Sequence, residues 1–155
     1  MEQTEQVFPE NGLSGILGKD QRLAEAFAEQ VACMQSVYAI ARDVIRPPSG
    51  FPPEYNITLG PIPDSFFSVR KNLFSTLFYS TYLALDIPLP RRQLYGKLNH
   101  LFRIWVTGAD NLLDDEDKCV LPLALPGSSR VMREVVSIMA ADRILWHLLT
   151  RAVAE

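Results

Sequence analysis

Apolar side chains recur every three or four residues over most of this chain, a spacing that predicts α-helices. The first helix is predicted near 20–46, with Asp20 as its N-cap and Pro47 directly after its end. One face of this helix carries a regular apolar stripe, made of Leu23, Phe27, Val31, Met34, Tyr38, Ala41 and Ile45. The proline-rich residues 47–63 then predict a long connection rather than a β-strand.

Three more helices are predicted, near 64–86, 90–115 and 128–154. The same spacing continues there, and no segment alternates apolar and polar residues as a half-buried strand does. The predicted fold is therefore all-α, a bundle of about four long and mostly antiparallel helices. Residues 1–19 are polar and contain glycine, so we expect an irregular leader before one helical domain at 20–155.

The second and fourth of these helices have unusual apolar surfaces. Residues 72–85, NLFSTLFYSTYLAL, carry no charge and are apolar on most sides, which predicts a central buried helix too short for a membrane span. The apolar face predicted for the fourth helix consists of Val131, Val135, Ile138, Met139, Leu145, Trp146 and Leu149. Asp142 falls within that face, so we expect it either to pair with a basic residue or to line a polar cavity.

The third helix runs through residues 97–117 and ends in a group of acidic side chains: Asp110, Asp114, Asp115, Glu116 and Asp117. Acid at a helix C-terminus costs about 0.3–1 kcal/mol per residue, so a divalent cation is the simplest compensation. Asp110, Asp114 and Asp117 share a narrow polar strip between wide apolar arcs. We expect Asp110 and Asp114 to face a shared polar cleft, with a solvated acidic helix end as the alternative interpretation.

The acidic run has a sequence pattern that can be compared with known metal sites. It is not a calcium loop of the EF-hand type, because leucines occupy ligand positions and the required glycine and glutamate are missing.

The segment from Asp110 to Asp114 (DNLLD), followed by Asp117, resembles the first aspartate-rich motif of class I isoprenoid synthases. In trans-prenyltransferases that motif is D-D-x-x-D at the end of a central helix, and here Asn111 replaces the second Asp. The spacing D-x-x-x-D is also similar to the squalene and phytoene synthase branch. The resemblance implies that Asp110, Asp114 and Asp117 bind Mg²⁺ bridged to a substrate diphosphate.

The resemblance also implies where a substrate binds. Arg70 and Lys71 are distantly similar to a basic patch that holds a second diphosphate in prenyltransferases, although a solvated helix start explains them equally well. The residues predicted to bind substrate are Arg70, Lys71, Arg103 and Asn111. Paired arginines should follow the acidic motif closely, but none occurs before Arg130 and Arg133. This departure argues against a standard chain-elongating enzyme.

Composition narrows the partners and the compartment. Apolar residues make up 48% of the chain and charged residues 21%, the balance of an ordinary soluble globular domain. A net charge of −3 gives no electrostatic reason to expect a nucleic acid as partner. Two cysteines are too few for a disulfide framework or a zinc site, and the N-terminus lacks the features of a signal peptide. We therefore expect a cytoplasmic protein without a transmembrane segment.

From the resemblance we expect the N-terminal half of a class I isoprenoid synthase. The helical pattern continues to residue 155 without a stop, and no second acidic metal motif is present. In the intact enzyme, Mg²⁺-dependent ionisation of an allylic prenyl diphosphate would lead to transfer or cyclisation, with Phe74, Phe78 and Phe102 as candidate cavity residues. The chain alone should be inactive, and its uncovered faces should make it a homo-oligomer. The alternative is a non-catalytic helical module that binds a protein partner or a lipid through its apolar faces. The sequence decides neither the chain length of the substrate nor whether the reaction is elongation or cyclisation.

Overall fold

Four long α-helices form the structure, a computed structural model that describes residues 15, 18–127 and 129–154. They are α1 (Gln21–Val44), α2 (Val69–Ala84), α3 (Leu89–Leu113) and α4 (Arg130–Ala154). α3 lies between α2 and α4, and α1 packs against all three. The prediction of an all-α fold with four packed helices is confirmed. None of the described helices is long and apolar enough to cross a membrane.

The connections between the helices contain a short two-stranded ribbon. Strand β1 (Thr58–Leu59) pairs antiparallel with strand β2 (Leu123–Ala124), so the prediction of no strand within 47–63 is wrong at these two residues. The N–H of Gly60 donates to the carbonyl of Pro122 at 2.7 Å and extends the pairing. The ribbon ties the α1–α2 connection to the α3–α4 connection, a contact between distant segments that local periodicity does not reveal.

The second helix begins later than its sequence pattern predicts. Asp64–Phe67 forms a 3₁₀ turn, and Ser68 is extended (φ −69°, ψ 147°), so α2 starts at Val69. The buried side-chain amide of Asn72 donates to the carbonyls of Phe66 (2.6 Å) and Ser68 (2.8 Å). Because this amide satisfies carbonyls at the break, it stabilises the turn in competition with a continuous helix.

The main hydrophobic core lies where α1 crosses α3 and α4. Its buried residues include Val37 and Ala41 from α1, Leu101 and Ile104 from α3, and Ile144 from α4. Each large aliphatic side chain contributes about 1.5–3 kcal/mol when it is fully removed from water. The predicted stripe of the first helix therefore supplies core residues from Met34 onwards, whereas Leu23, Phe27 and Val31 are only partly buried and lie outside the core.

Two glycines allow the neighbours of α3 to approach it closely. A Cβ atom at Gly96 would lie 2.6 Å from the ring of Tyr79 and 2.8 Å from the sulfur of Cys33. A Cβ atom at Gly108 would lie 3.0 Å from Cγ1 of Ile138 on α4. These contacts hold α3 tightly in the middle of the layer.

The interpretation of residues 72–85 as a central buried helix is wrong. α2 lies at an edge of the layer, and the residues it buries are Asn72, Thr76 and Tyr79. Phe74 and Phe78 are 78% and 57% exposed. The buried residues of α2 are all hydrogen-bonding ones with partners, which makes their burial tolerable.

The predicted apolar face of α4 is also mostly exposed. The core takes its α4 residues from another side of the helix: Ala140, Ala141, Ile144 and Leu148. Asp142 is exposed and has no ion pair within the described residues; it lies in the wall of an open cavity of about 300 Å³ with Leu145, Trp146 and Leu149. A helix that is apolar on two sides buries only one of them in this structure.

Candidate functional site

The layer of α2, α3 and α4 has one face covered by α1 and one face that is open. On α2, Thr76 bonds to α1, whereas Phe74 and Phe78 lie on the opposite side of the helix. On α3, His100 packs on α1, and Phe102 lies on the far side and is half exposed. We call the side of α2 and α3 away from α1 the open face; its exposed apolar residues are Phe74, Phe78, Phe102, Trp105, Val106 and Leu113.

The acidic residues at the end of α3 fall into two groups. Asp115 pairs with Arg130 and Asp117 pairs with Arg133, both from the first turn of α4, and Glu116 pairs with Lys118. Asp110 and Asp114 have no ion pair within the described residues, and both are exposed. They lie one helical turn apart, beside the open face.

The part of the chain that the structure describes forms no polar cleft around Asp110 and Asp114. Both side chains face solvent, because the apolar residues beside them on α3 are exposed as well. α3 ends at Leu113, and Asp115 has a positive φ of 57°, a conformation that Asp tolerates better than most residues. The chain therefore turns away from the helix directly after the two unpaired carboxylates.

Asn111, the residue that departs from the motif, is fully buried. Its Nδ2 donates to the carbonyl of Lys118 (2.9 Å) and to the carboxylate of Glu134 (3.0 Å). Its Oδ1 accepts the N–H of Lys118 at 3.1 Å. This buried side chain therefore cannot make the predicted contact with a substrate. Its hydrogen bonds instead join α3, the acidic loop and α4.

Arg130, Arg133 and Glu134 take part in this junction, and the motif comparison did not assign them a role. Arg130 donates to the carbonyl of Asn111 (3.1 Å) as well as to the acidic loop. Arg133 donates to the buried carboxylate of Glu134 at 3.3 Å in addition to its pair with Asp117. One sequence feature indicates these ion pairs: two arginines three residues apart begin the helix that follows the acidic run.

Two of the predicted basic residues come together in the structure. Lys71 and Arg103 line one small cavity of about 10 Å³, with His100 and Cys119 also in its wall. Nη1 of Arg103 donates to Oδ1 of Asn72 at 2.6 Å, and Nζ of Lys71 lies 4.9 Å from the centre of the Phe66 ring. Arg70 is exposed and lines no part of this cavity.

Burial changes the acid–base properties of two residues near this cavity. Desolvation lowers the pKa of Arg103 from its ordinary value. Desolvation, together with the charge of Arg103, lowers the pKa of His100 to about 3, so this histidine is neutral at pH 7. Neither ring nitrogen of His100 has a hydrogen-bond partner among the described residues.

The two unpaired aspartates fit what Mg²⁺ takes from proteins. That ion is usually held by one or two carboxylates, with waters and substrate phosphates completing its coordination. Asp110 and Asp114 supply two such carboxylates, whereas Asp117 is engaged by Arg133. No group of three or more His, Cys, Asp or Glu side chains within the described ranges is arranged to hold a metal by itself.

A second, larger cavity lies away from these residues. It has a volume of about 360 Å³ and lies between the end of α1 and α4, with Ile45, Phe51 and Met139 in its wall and Arg143 beside them. It contains none of the residues that the sequence predicts to bind metal or substrate. The chain matches no protein-family model, no curated protein and no solved structure.

Proposed function

We propose that the open face and the two unpaired carboxylates of α3 form one wall of a site for an allylic prenyl diphosphate, as in the N-terminal half of a class I isoprenoid synthase. The single observation that carries this proposal is the position of Asp110 and Asp114. They lie at the end of an exposed apolar stripe on α3 that contains Phe102, Val106 and Leu113. An apolar surface that ends in two unpaired acids suits an amphipathic ligand whose charged end is bound through a cation.

The charge of the two aspartates decides which head group fits. Carboxylates repel a diphosphate directly, so a diphosphate would bind here only if a divalent cation separated it from the two aspartates. When bound there, Mg²⁺ supplies Lewis-acid neutralisation of the charge on the diphosphate that leaves. Lys71 and Arg103 line a small cavity together with Met34 and Tyr38 of α1. Arg103 adds positive charge on the same side of α3 as Asp110.

The aromatic residues of the open face suit the other end of the ligand. Phe74 and Phe78 are neighbours, with ring centres 6.5 Å apart, and Phe102 lies on the adjacent helix. Such rings bind a prenyl chain by apolar contact, and their faces attract a positive charge that develops on its allylic carbon.

Calorimetric titration of the chain with geranyl diphosphate, with and without Mg²⁺, tests this function. Binding should require Mg²⁺, and it should weaken by about tenfold or more in the double variant Asp110→Asn/Asp114→Asn, which removes both ligands. Inorganic diphosphate should bind more weakly than geranyl diphosphate, because it lacks the apolar tail. We expect the chain by itself to release no product.

A matched control separates the site from general charge. The double variant Glu25→Gln/Asp43→Asn removes the same charge from exposed positions of α1, and it should bind like the unmodified chain. Binding that is independent of Mg²⁺, or that survives Asp110→Asn/Asp114→Asn, contradicts the proposal. Tight binding of geraniol without any metal would favour the alternative function, a module that binds apolar partners through the open face.

A further inference from the structure

The open face provides only one side of a binding site. A prenyl tail on Phe74, Phe78 and Phe102 would leave its other side in water and lose much of the benefit of apolar burial. We infer that a second copy of this chain packs on the open face and supplies the opposite wall, an inference that rests on the proposed function.

The size of the open face is that of a protein interface. Its four aromatic residues are between 47% and 78% exposed: Phe74, Phe78, Phe102 and Trp105. At about 150–250 Å² for each aromatic side chain, they expose on the order of 500 Å² together. The aliphatic residues beside them bring the total towards the roughly 800 Å² per partner of a standard interface. That is more apolar surface than an ordinary monomer leaves in one patch.

The pattern of α3 makes the open face self-complementary. Arg91, Phe102 and Leu113 follow one another at intervals of three helical turns, so they lie on one line along α3. On this side of α3 an apolar stretch of side chains runs from Tyr95 to Ala109, with Phe102 in its middle, whereas Lys97 and Arg103 lie on other sides of the helix. A two-fold axis across α3 near Phe102 therefore places the apolar stretch of one copy on that of the other, as a symmetric dimer requires.

The charges at the two ends of this line favour an antiparallel arrangement. Arg91 is exposed at the N-terminal end of α3 and has no ion pair within the described residues. Antiparallel packing brings it to Asp110 and Asp114 of the other copy, whereas parallel packing would bring the two acidic pairs together. The partner's Arg91 then adds a cation at the diphosphate end, so each site is complete only in the dimer.

Sedimentation velocity of the full chain over a range of concentrations tests the interface. We expect a dimer that Phe102→Glu converts to a monomer, because that change buries a charge at the centre of the apolar surface. Phe51→Glu is the matched control, since Phe51 is 49% exposed and Phe102 52%, but Phe51 lies in the α1–α2 connection. Helical circular dichroism establishes that each variant is folded. A wild-type chain that stays monomeric, or a dimer that survives Phe102→Glu, overturns the inference.

Charge reversal tests the antiparallel direction. Arg91→Asp should weaken dimerisation on the order of tenfold, and the addition of Asp110→Arg in the same chain should restore it. A double variant that dimerises no better than Arg91→Asp overturns the antiparallel interface. The Mg²⁺-dependent binding of geranyl diphosphate is a separate measurement. A monomer that binds it contradicts only the dimer, and a dimer that does not bind it contradicts only the proposed function.

Discussion

Asn111 and Glu134 share a hydrogen bond of 3.0 Å at the buried junction of α3 and α4. The same amide bonds both backbone groups of Lys118, so one side chain joins the end of α3, the acidic loop and α4. An amide at this position has a structural reason in this protein, because a carboxylate could not donate to either partner.

Asn111→Asp should destabilise the protein, although it restores the D-D-x-x-D pattern. The new carboxylate loses both donated hydrogen bonds and meets Glu134 in a buried setting, which costs about 1–3 kcal/mol or more. Urea unfolding at neutral pH measures the loss, and Asn99→Asp, at a less buried position of α3, is the control. Adding Glu134→Gln should recover part of the stability. Equal stability of Asn111→Asp and the unmodified chain would contradict this account of the junction.

Glu29→Gln should destabilise the packing of α1 on α3 in a pH-dependent way. Nη2 of Arg92 lies 2.7 Å from one carboxylate oxygen of Glu29, and the hydroxyl of Tyr79 donates to the other at 2.8 Å. The hydrogen bond from Arg92 is the main reason why the pKa of Glu29 lies below its ordinary value of 4.5. The stabilisation is therefore present above pH 4.5 and is lost as the pH falls through the folded-state pKa.

The expected cost of Glu29→Gln at pH 7 is about 1–2 kcal/mol, since the pair is mostly but not fully buried. The cost should shrink when unfolding is measured at acidic pH, because the carboxylate of the unmodified chain becomes protonated as the pH falls below 4.5 and through the folded-state pKa. Glu25→Gln, at an exposed position of the same helix, should have little effect at either pH. A cost for Glu29→Gln that does not change with pH would show that packing, and not charge, is responsible.

His100→Phe should make the protein less sensitive to acid. Because the pKa of His100 falls from 6.5 to about 3 on folding, the unfolded chain binds a proton in this window and the folded chain does not. This group therefore makes the protein less stable as the pH falls from 6.5 towards 3. Phenylalanine keeps the edge-to-face contact with Tyr38, whose ring centre is 5.1 Å away, and removes two unpaired nitrogens.

Denaturant unfolding between pH 7 and pH 4 checks this prediction. His100→Phe should lose less stability over that range than the unmodified chain, and it should be at least as stable at pH 7. His147→Gln on the exposed side of α4 should follow the unmodified chain. A variant at position 100 with the same pH dependence as the unmodified chain would show that other groups dominate acid unfolding.

Gly96→Ala should destabilise the protein even though alanine favours helices. The added Cβ would lie 2.6 Å from the Tyr79 ring and 2.8 Å from the Cys33 sulfur, so α1 or α2 must move away from α3. We expect a loss of about 1–3 kcal/mol in thermal or urea unfolding, against a gain of about 1 kcal/mol from helix propensity alone. Gly108→Ala should cost less, because its new contact is the flexible side chain of Ile138 at 3.0 Å. A larger loss of stability for Gly108→Ala than for Gly96→Ala would mean that the neighbours of Gly96 move away at little cost.

The sequence by itself determined the number, type and approximate limits of the helices. Periodicity of three and four residues identifies a helix wherever one side of it is buried, and Pro47 shows directly where α1 must end. The second half of the stripe of α1 also identified core residues, Met34, Tyr38 and Ala41. These properties are local, so they can be deduced without knowledge of any contact between distant residues.

Only the tertiary structure decided which side of α2, α3 and α4 is buried. Each of these helices has apolar residues on more than one side, so the pattern permits several orientations, and Phe74 and Trp146 turned out to be exposed. The same holds for the acidic residues, since nothing local distinguishes Asp114, which is unpaired, from Asp115, which Arg130 engages from another helix. Pairing and burial depend on which segments meet in space, and that is a property of the packed chain as a whole.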